Sequence, residues 1–91
     1  MIRSVWLGDV GENPRNGNAD VHVTLEDGRG YSFTAFTPSN LALQMEQEGT
    51  GHFVCPDLLV VRELTEANVR AAVEEILADH DIARFGVATE E

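Results

Sequence analysis

Val21-His22-Val23-Thr24-Leu25-Glu26-Asp27-Gly28-Arg29-Gly30-Tyr31-Ser32-Phe33-Thr34-Ala35-Phe36-Thr37 decides the fold. Val21, Val23 and Leu25 alternate with His22, Thr24 and Glu26, and Tyr31, Phe33 and Ala35 alternate with Ser32, Thr34 and Phe36. A period of two with turn residues between is a β-hairpin with one apolar face. A two-residue Asp27-Gly28 turn sets Val23 against Ser32 and mixes the faces. Keeping Leu25 opposite Tyr31 needs a longer loop or a bulge, for which Gly28 and Gly30 supply the positive φ.

Upstream, Arg3–Leu7 reads as a strand ended by Gly8. Gly8–Asp20 is rich in Gly, Asn, Pro and Asp and reads as a long mobile loop, with Asn16-Gly17 exposed at its tip. Downstream, Thr37 caps a helix that Pro38 opens and Gly49-Thr50-Gly51 stops. Leu41 and Met45 of that helix point to the core, and Leu43 points nearly opposite. His52–Leu64 is strand material: a short Phe53-Val54, a Cys55-Pro56-Asp57 turn, and an apolar Leu58–Arg62 expected to be buried on both faces. Thr65 caps a second helix over Glu66–Asp79, with Val69, Ala72, Val73, Ile76 and Leu77 as its apolar stripe. Asp81–Val87 packs back on the domain, and Ala88–Glu91 frays.

Strands first and amphipathic helices later give an α+β fold. The expectation is a two-layer domain, with an antiparallel sheet of four or five strands and both helices on one face, in the order β-β-β-α-(β)-β-α. With 91 residues, the chain makes one domain spanning 1–91. Hydrophobic residues at 43% and charged residues at 24% exclude disorder. The longest aliphatic run, Leu58–Val61, is far too short for a transmembrane helix, and Met1–Gly8 holds no signal-type apolar region. A cytoplasmic protein with no internal disulfide is therefore expected.

Charge carries the functional hint. Sixteen acids oppose six bases for a net charge of −10, and there is no lysine. Residues 46–91 hold eleven of the acids against three arginines. Such a field repels nucleic acid and anionic membrane and attracts basic protein surfaces.

Catalytic and metal chemistries find little support. Cys55 is the only thiol, with His52 three positions earlier, but no orienting group or family signature surrounds the pair. One cysteine and three scattered histidines fall short of a structural zinc set, and Asp79-His80-Asp81 reads as the polar end of a helix. The glycine-rich Gly8–Asn18 stretch lacks the Gly-Lys-Ser/Thr of a phosphate loop. Glu74 and Glu75 diverge by about 100° on a helix and cannot flank one substrate bond. Neither an enzyme nor a cofactor or metal protein is expected.

Binding is better supported. Ala67, Ala71 and Ala78 form a small-residue ridge beside Glu74 on the outward face of the second helix. Leu43 lies off its helix's core face, and Trp6 and Phe36 fall out of phase with the apolar pattern, as exposed aromatics on an open sheet face do. The acids Glu66, Glu74, Glu75, Asp79 and Asp81 are expected to surround these positions and steer in a basic partner. A small, lysine-free, strongly acidic domain without a catalytic motif resembles toxin-immunity proteins and phage-encoded inhibitors of nucleic-acid enzymes. That resemblance is compositional and transfers no residues; it implies an inhibitor docking on a nuclease- or toxin-like basic protein. The alternatives are an accessory domain that forms a homodimer through a sheet edge or the alanine ridge, and a small Cys/His enzyme or metal protein.

Overall fold

The computed structural model describes residues 2–89. The elements are β1 (Ile2–Leu7), β2 (Asn18–Leu25), β3 (Gly30–Phe36), α1 (Pro38–Glu48), β4 (Leu58–Val60), α2 (Glu66–Asp79), a 3-10 turn at Ile82–Arg84, and β5 (Val87–Thr89). The fold is α+β, a five-stranded, mostly antiparallel sheet with two helices. Strands β1, β2 and β3 form an antiparallel meander. The outer edge of β3 is shared: β4 pairs with Thr34–Phe36 and β5 with Gly30–Ser32.

Two strands depart from the expected order. Phe53-Val54 forms no strand, and the fifth strand is instead β5, drawn from residues expected to fray. Glu90 and Glu91 lie outside the described residues. β4 runs parallel to β3, because the chain returns from the far end of α1 and enters the sheet in the same sense.

The hairpin closes through Glu26-Asp27-Gly28. Leu25 N–H donates to the Arg29 carbonyl (2.8 Å), Gly28 N–H to the Leu25 carbonyl (3.0 Å), and Gly28 takes φ 94°. This is the three-residue connection with a glycine in the left-handed region. Val23, not Leu25, therefore faces Tyr31. The offset from the expected register is two residues, so the apolar face survives, and Gly30 is ordinary strand. A bulge between Ile2 and Ser4 keeps both Ile2 and Val5 on that same face.

Helix α2 covers the apolar face. Val69, Val73 and Ile76 pack with Val21, Val23, Phe33 and Ala35 into one buried core, which Leu59, Val61, Leu64 and Ile82 complete. Helix α1 has the expected ends: Thr37 accepts from Asn40 N–H, and Gly49 (φ 70°) places Gly49 and Thr50 N–H on the Glu46 and Met45 carbonyls. Yet α1 adds no side chain to this core; Leu41 and Met45 are half-buried, and its only buried residue is Asn40. Leu41 and Met45 alone, with Leu43 on the opposite side, make too narrow a stripe to bury a helix.

Polar contacts hold α1 instead. Asn40 accepts from Asn18 Nδ2 (2.9 Å) and donates to Asn16 Oδ1 (3.4 Å), while Ser39 Oγ donates to the Arg15 carbonyl (2.7 Å). Leu64 N–H donates to the Pro14 carbonyl (2.7 Å). The Gly8–Gly17 loop is thus tied at both sides, not free as composition suggests, and Gly17 is half-buried against Leu64.

Candidate functional site

The outer side of α2 follows from its inner stripe. With Val69, Val73 and Ile76 inward, Ala67, Ala71 and Ala78 face solvent, flanked by Glu74 and Glu75. Glu66 and Asp79 lie on opposite flanks at the two ends of the helix, Asp81 follows, and Arg70 stands one turn from both Glu66 and Glu74. The five acids span about 20 Å at 1.5 Å per residue. All five carboxylates are exposed. Among the described residues, the ion pairs are Arg15–Glu63 (3.2 Å) and Arg29–Asp27 (2.7 Å), and none of the five joins one.

Neither helix has a basic residue in its last turn. Glu46 and Glu48 close α1 and Asp79 closes α2, where backbone carbonyls already concentrate negative charge. Acids at a helix C-terminus weaken it slightly.

The other face of the sheet is open. Cross-strand pairing runs from Trp6 to His22, to Ser32, to Val87, so these four share one row on the side away from α2. Trp6 is 55% exposed and lies on His22, with ring centroids 5.2 Å apart. Gly8 makes room for the indole: a Cβ there would meet Trp6 Cη2 at 3.2 Å. Val60 and Val87 are 51% and 50% exposed on the same face. The expectation that Leu58–Arg62 is buried on both faces fails here, because Leu59 and Val61 point inward and Val60 outward.

Phe36 is also corrected. It lies on the open-face side but is only 7% exposed, because Phe53 packs edge-on against it at 4.9 Å. It offers no surface to a partner. Leu43 is exposed on α1. The acidic strip and Trp6 therefore occupy opposite sides of the sheet, and the acids do not surround the aromatic as expected. Sequence reasoning named Trp6 but missed His22, Ser32 and Val87 beside it. The signal was present in the hairpin, whose second face is small and polar from Gly30 to Thr34 and from Asp20 to Thr24, with Phe36 at its end.

The Cys55 thiol donates to Asp57 Oδ1 (3.3 Å), and burial pushes its pKa up. His52 is exposed and makes no bond to it. Burial and a neighbouring carboxylate both oppose the thiolate. Cys55→Ser is expected to leave the fold intact, and the native thiol to alkylate with iodoacetamide more slowly at pH 8 than in urea-unfolded chain. A faster rate in the native chain than in the unfolded one would show an activated thiol. Among the described residues, no three His, Cys, Asp or Glu side chains group as metal ligands, and no helix is long and apolar enough to cross a membrane. An open cleft of about 170 Å³ lies between the hairpin tip and α2, floored by Leu25 and Leu77, with Asp27 and Arg29 bound to each other at its rim.

Comparison with known protein families, curated proteins and solved structures gives no match.

Proposed function

We propose that this chain is a non-catalytic binding domain that docks through the acidic outer side of α2 on a basic protein surface, in the manner of an inhibitor or immunity-type protein. The observation that carries this reading is the strip itself. Five exposed carboxylates, outside the ion pairs of the described residues, line one helix and its C-terminal flank in a chain of net charge −10. The alanine ridge between them lets another backbone approach closely. A strip of about 20 Å matches a groove built for nucleic-acid phosphates, which recur every few ångströms along a strand.

A photo-crosslinking residue at exposed Ala71 would capture what docks there. The captured protein is expected to be basic. Its association with the native chain should slow steeply with salt, because the screening length falls from about 10 Å at 0.1 M to about 3 Å at 1 M. Glu74→Arg with Glu75→Arg should cut the association rate at least ten-fold and raise the dissociation rate far less. Both positions lie off the apolar stripe, so folding survives. Binding indifferent to both salt and these reversals would overturn the reading and leave the acidity a matter of solubility.

A further inference from the structure

We propose that the open sheet face is a self-association surface, on which a second copy of this chain stacks sheet to sheet with its strands aligned. This goes beyond the acidic docking reading and rests on different residues.

The first argument is charge. Of the sixteen acids, Asp20 stands on this face and Asp57 reaches it by accepting from Thr34 Oγ1 (3.5 Å), with Arg3 beside Ser4 in the β1 bulge as the countercharge. The acids of α2 lie on the other side of the sheet. Two stacked sheets pack about 10 Å apart, and each helix layer lies roughly another 10 Å beyond. The two acidic strips are then about 30 Å apart, several times the screening length of about 8 Å at physiological salt. Joining two copies through α2 instead would press like charges together.

The second argument is shape. The row Trp6–His22–Ser32–Val87 crosses the sheet from its β1 edge to its β5 edge. A two-fold axis parallel to the strands and passing between β2 and β3 superposes each end of this row on the opposite end of its copy. Trp6 then covers the partner's Val87, and His22 meets the partner's Ser32. The two halves of the row are complementary: a large flat ring against a small β-branched side chain, and an imidazole against a hydroxyl. The neighbouring row toward the hairpin, Ser4–Thr24–Gly30–Thr89, holds nothing bulky that would keep the sheets apart. The indole is already laid down over Gly8 and His22, so little rotamer freedom remains to be lost. A two-fold contact of this kind closes on itself and does not propagate.

The third argument is area, which sets the strength. Four strands about 4.8 Å apart and three rows about 7 Å apart give a footprint of roughly 400 Å² per copy, about 800 Å² for the pair. That lies below the range of stable interfaces and within that of weak, transient ones. Weak, concentration-dependent association is therefore expected.

Sedimentation equilibrium of the intact chain from 10 μM to 1 mM tests this. The expected result is a mean mass rising from one chain toward two, accompanied by a blue shift in the emission of Trp6, the sole tryptophan. Added salt should strengthen the association by screening the net charge, the reverse of its effect on docking through α2. Val87→Arg and, separately, His22→Glu should each weaken it at least ten-fold with the circular dichroism unchanged. A chain that stays monomeric at 1 mM in 0.5 M salt would overturn the proposal. So would a dimer that survives both the Val87 and the His22 substitutions, since it would use another surface, or a face occupied only by a different protein.

Discussion

Phe33→Ala is expected to cost about 3–5 kcal/mol, a large share of the 5–15 kcal/mol that stabilises a domain of this kind. Phe33 is the largest fully buried side chain and stands at the centre of the core between β2, β3 and α2. Its ring edge is closed by Gly86, where an added Cβ would lie 2.6 Å from Cζ, 2.9 Å from Cε1 and 3.0 Å from Cε2. A buried ring has nowhere to retreat, so Gly86→Ala is expected to cost about 1–3 kcal/mol by overpacking. The two effects share a space and should not add. Phe33→Leu combined with Gly86→Ala should be more stable than the sum of the single losses implies, by about 0.5 kcal/mol or more. Urea unfolding followed by circular dichroism gives all four corners of the cycle. Strict additivity would mean that the chain between the 3-10 turn and β5 moves away from the ring, and that the Gly86 contact does not anchor the C-terminal strand.

The elements legible in the sequence were those set by local chemistry. Thr37-Pro38 and Gly49 bracket α1, and Thr65 opens α2, because cap groups answer to backbone donors and acceptors within one turn. The hairpin was legible through its alternation, though not the three-residue turn that fixes its register. What could not be read depended on distant partners. Three-residue β5 has no period of its own and exists because β4 leaves Gly30–Ser32 unpaired. Val60 could not be placed outward, because Leu58–Val61 is apolar at every position.

The candidate site divides the same way. The acidic strip of α2 was legible, since its inner stripe dictates its outer side. That Trp6 stands across the sheet from it was not, since it depends on which face α2 covers. The burial of Phe36 likewise comes from Phe53, seventeen positions on and beyond a whole helix.

Thr37→Val is expected to cost about 2–4 kcal/mol, an unusual loss for a near-isosteric change made outside the apolar core. Thr37 is fully buried, and its Oγ1 serves two backbone donors: Asn40 N–H at 3.3 Å, as helix cap, and Gly17 N–H at 3.1 Å, across the loop. Its own proton can go to the Gly17 carbonyl (3.4 Å). A lost cap costs about 1 kcal/mol, and a buried donor left without an acceptor about 1–3 kcal/mol more. Because α1 gives no side chain to the apolar core, no hydrophobic contact replaces what the hydroxyl supplies. The damage should therefore be regional. Amide hydrogen exchange should accelerate in α1 and in Gly8–Gly17, while Val69–Ile76 of α2 stays protected to the limit set by global unfolding. Thr37→Ser keeps the hydroxyl and loses only a methyl group, so it should retain most of the stability and the native exchange pattern. If serine were as damaging as valine, methyl packing would be holding α1. If valine accelerated exchange in α2 as much as in α1, the helix and loop would be part of the central cooperative unit, not a region docked onto it by polar contacts.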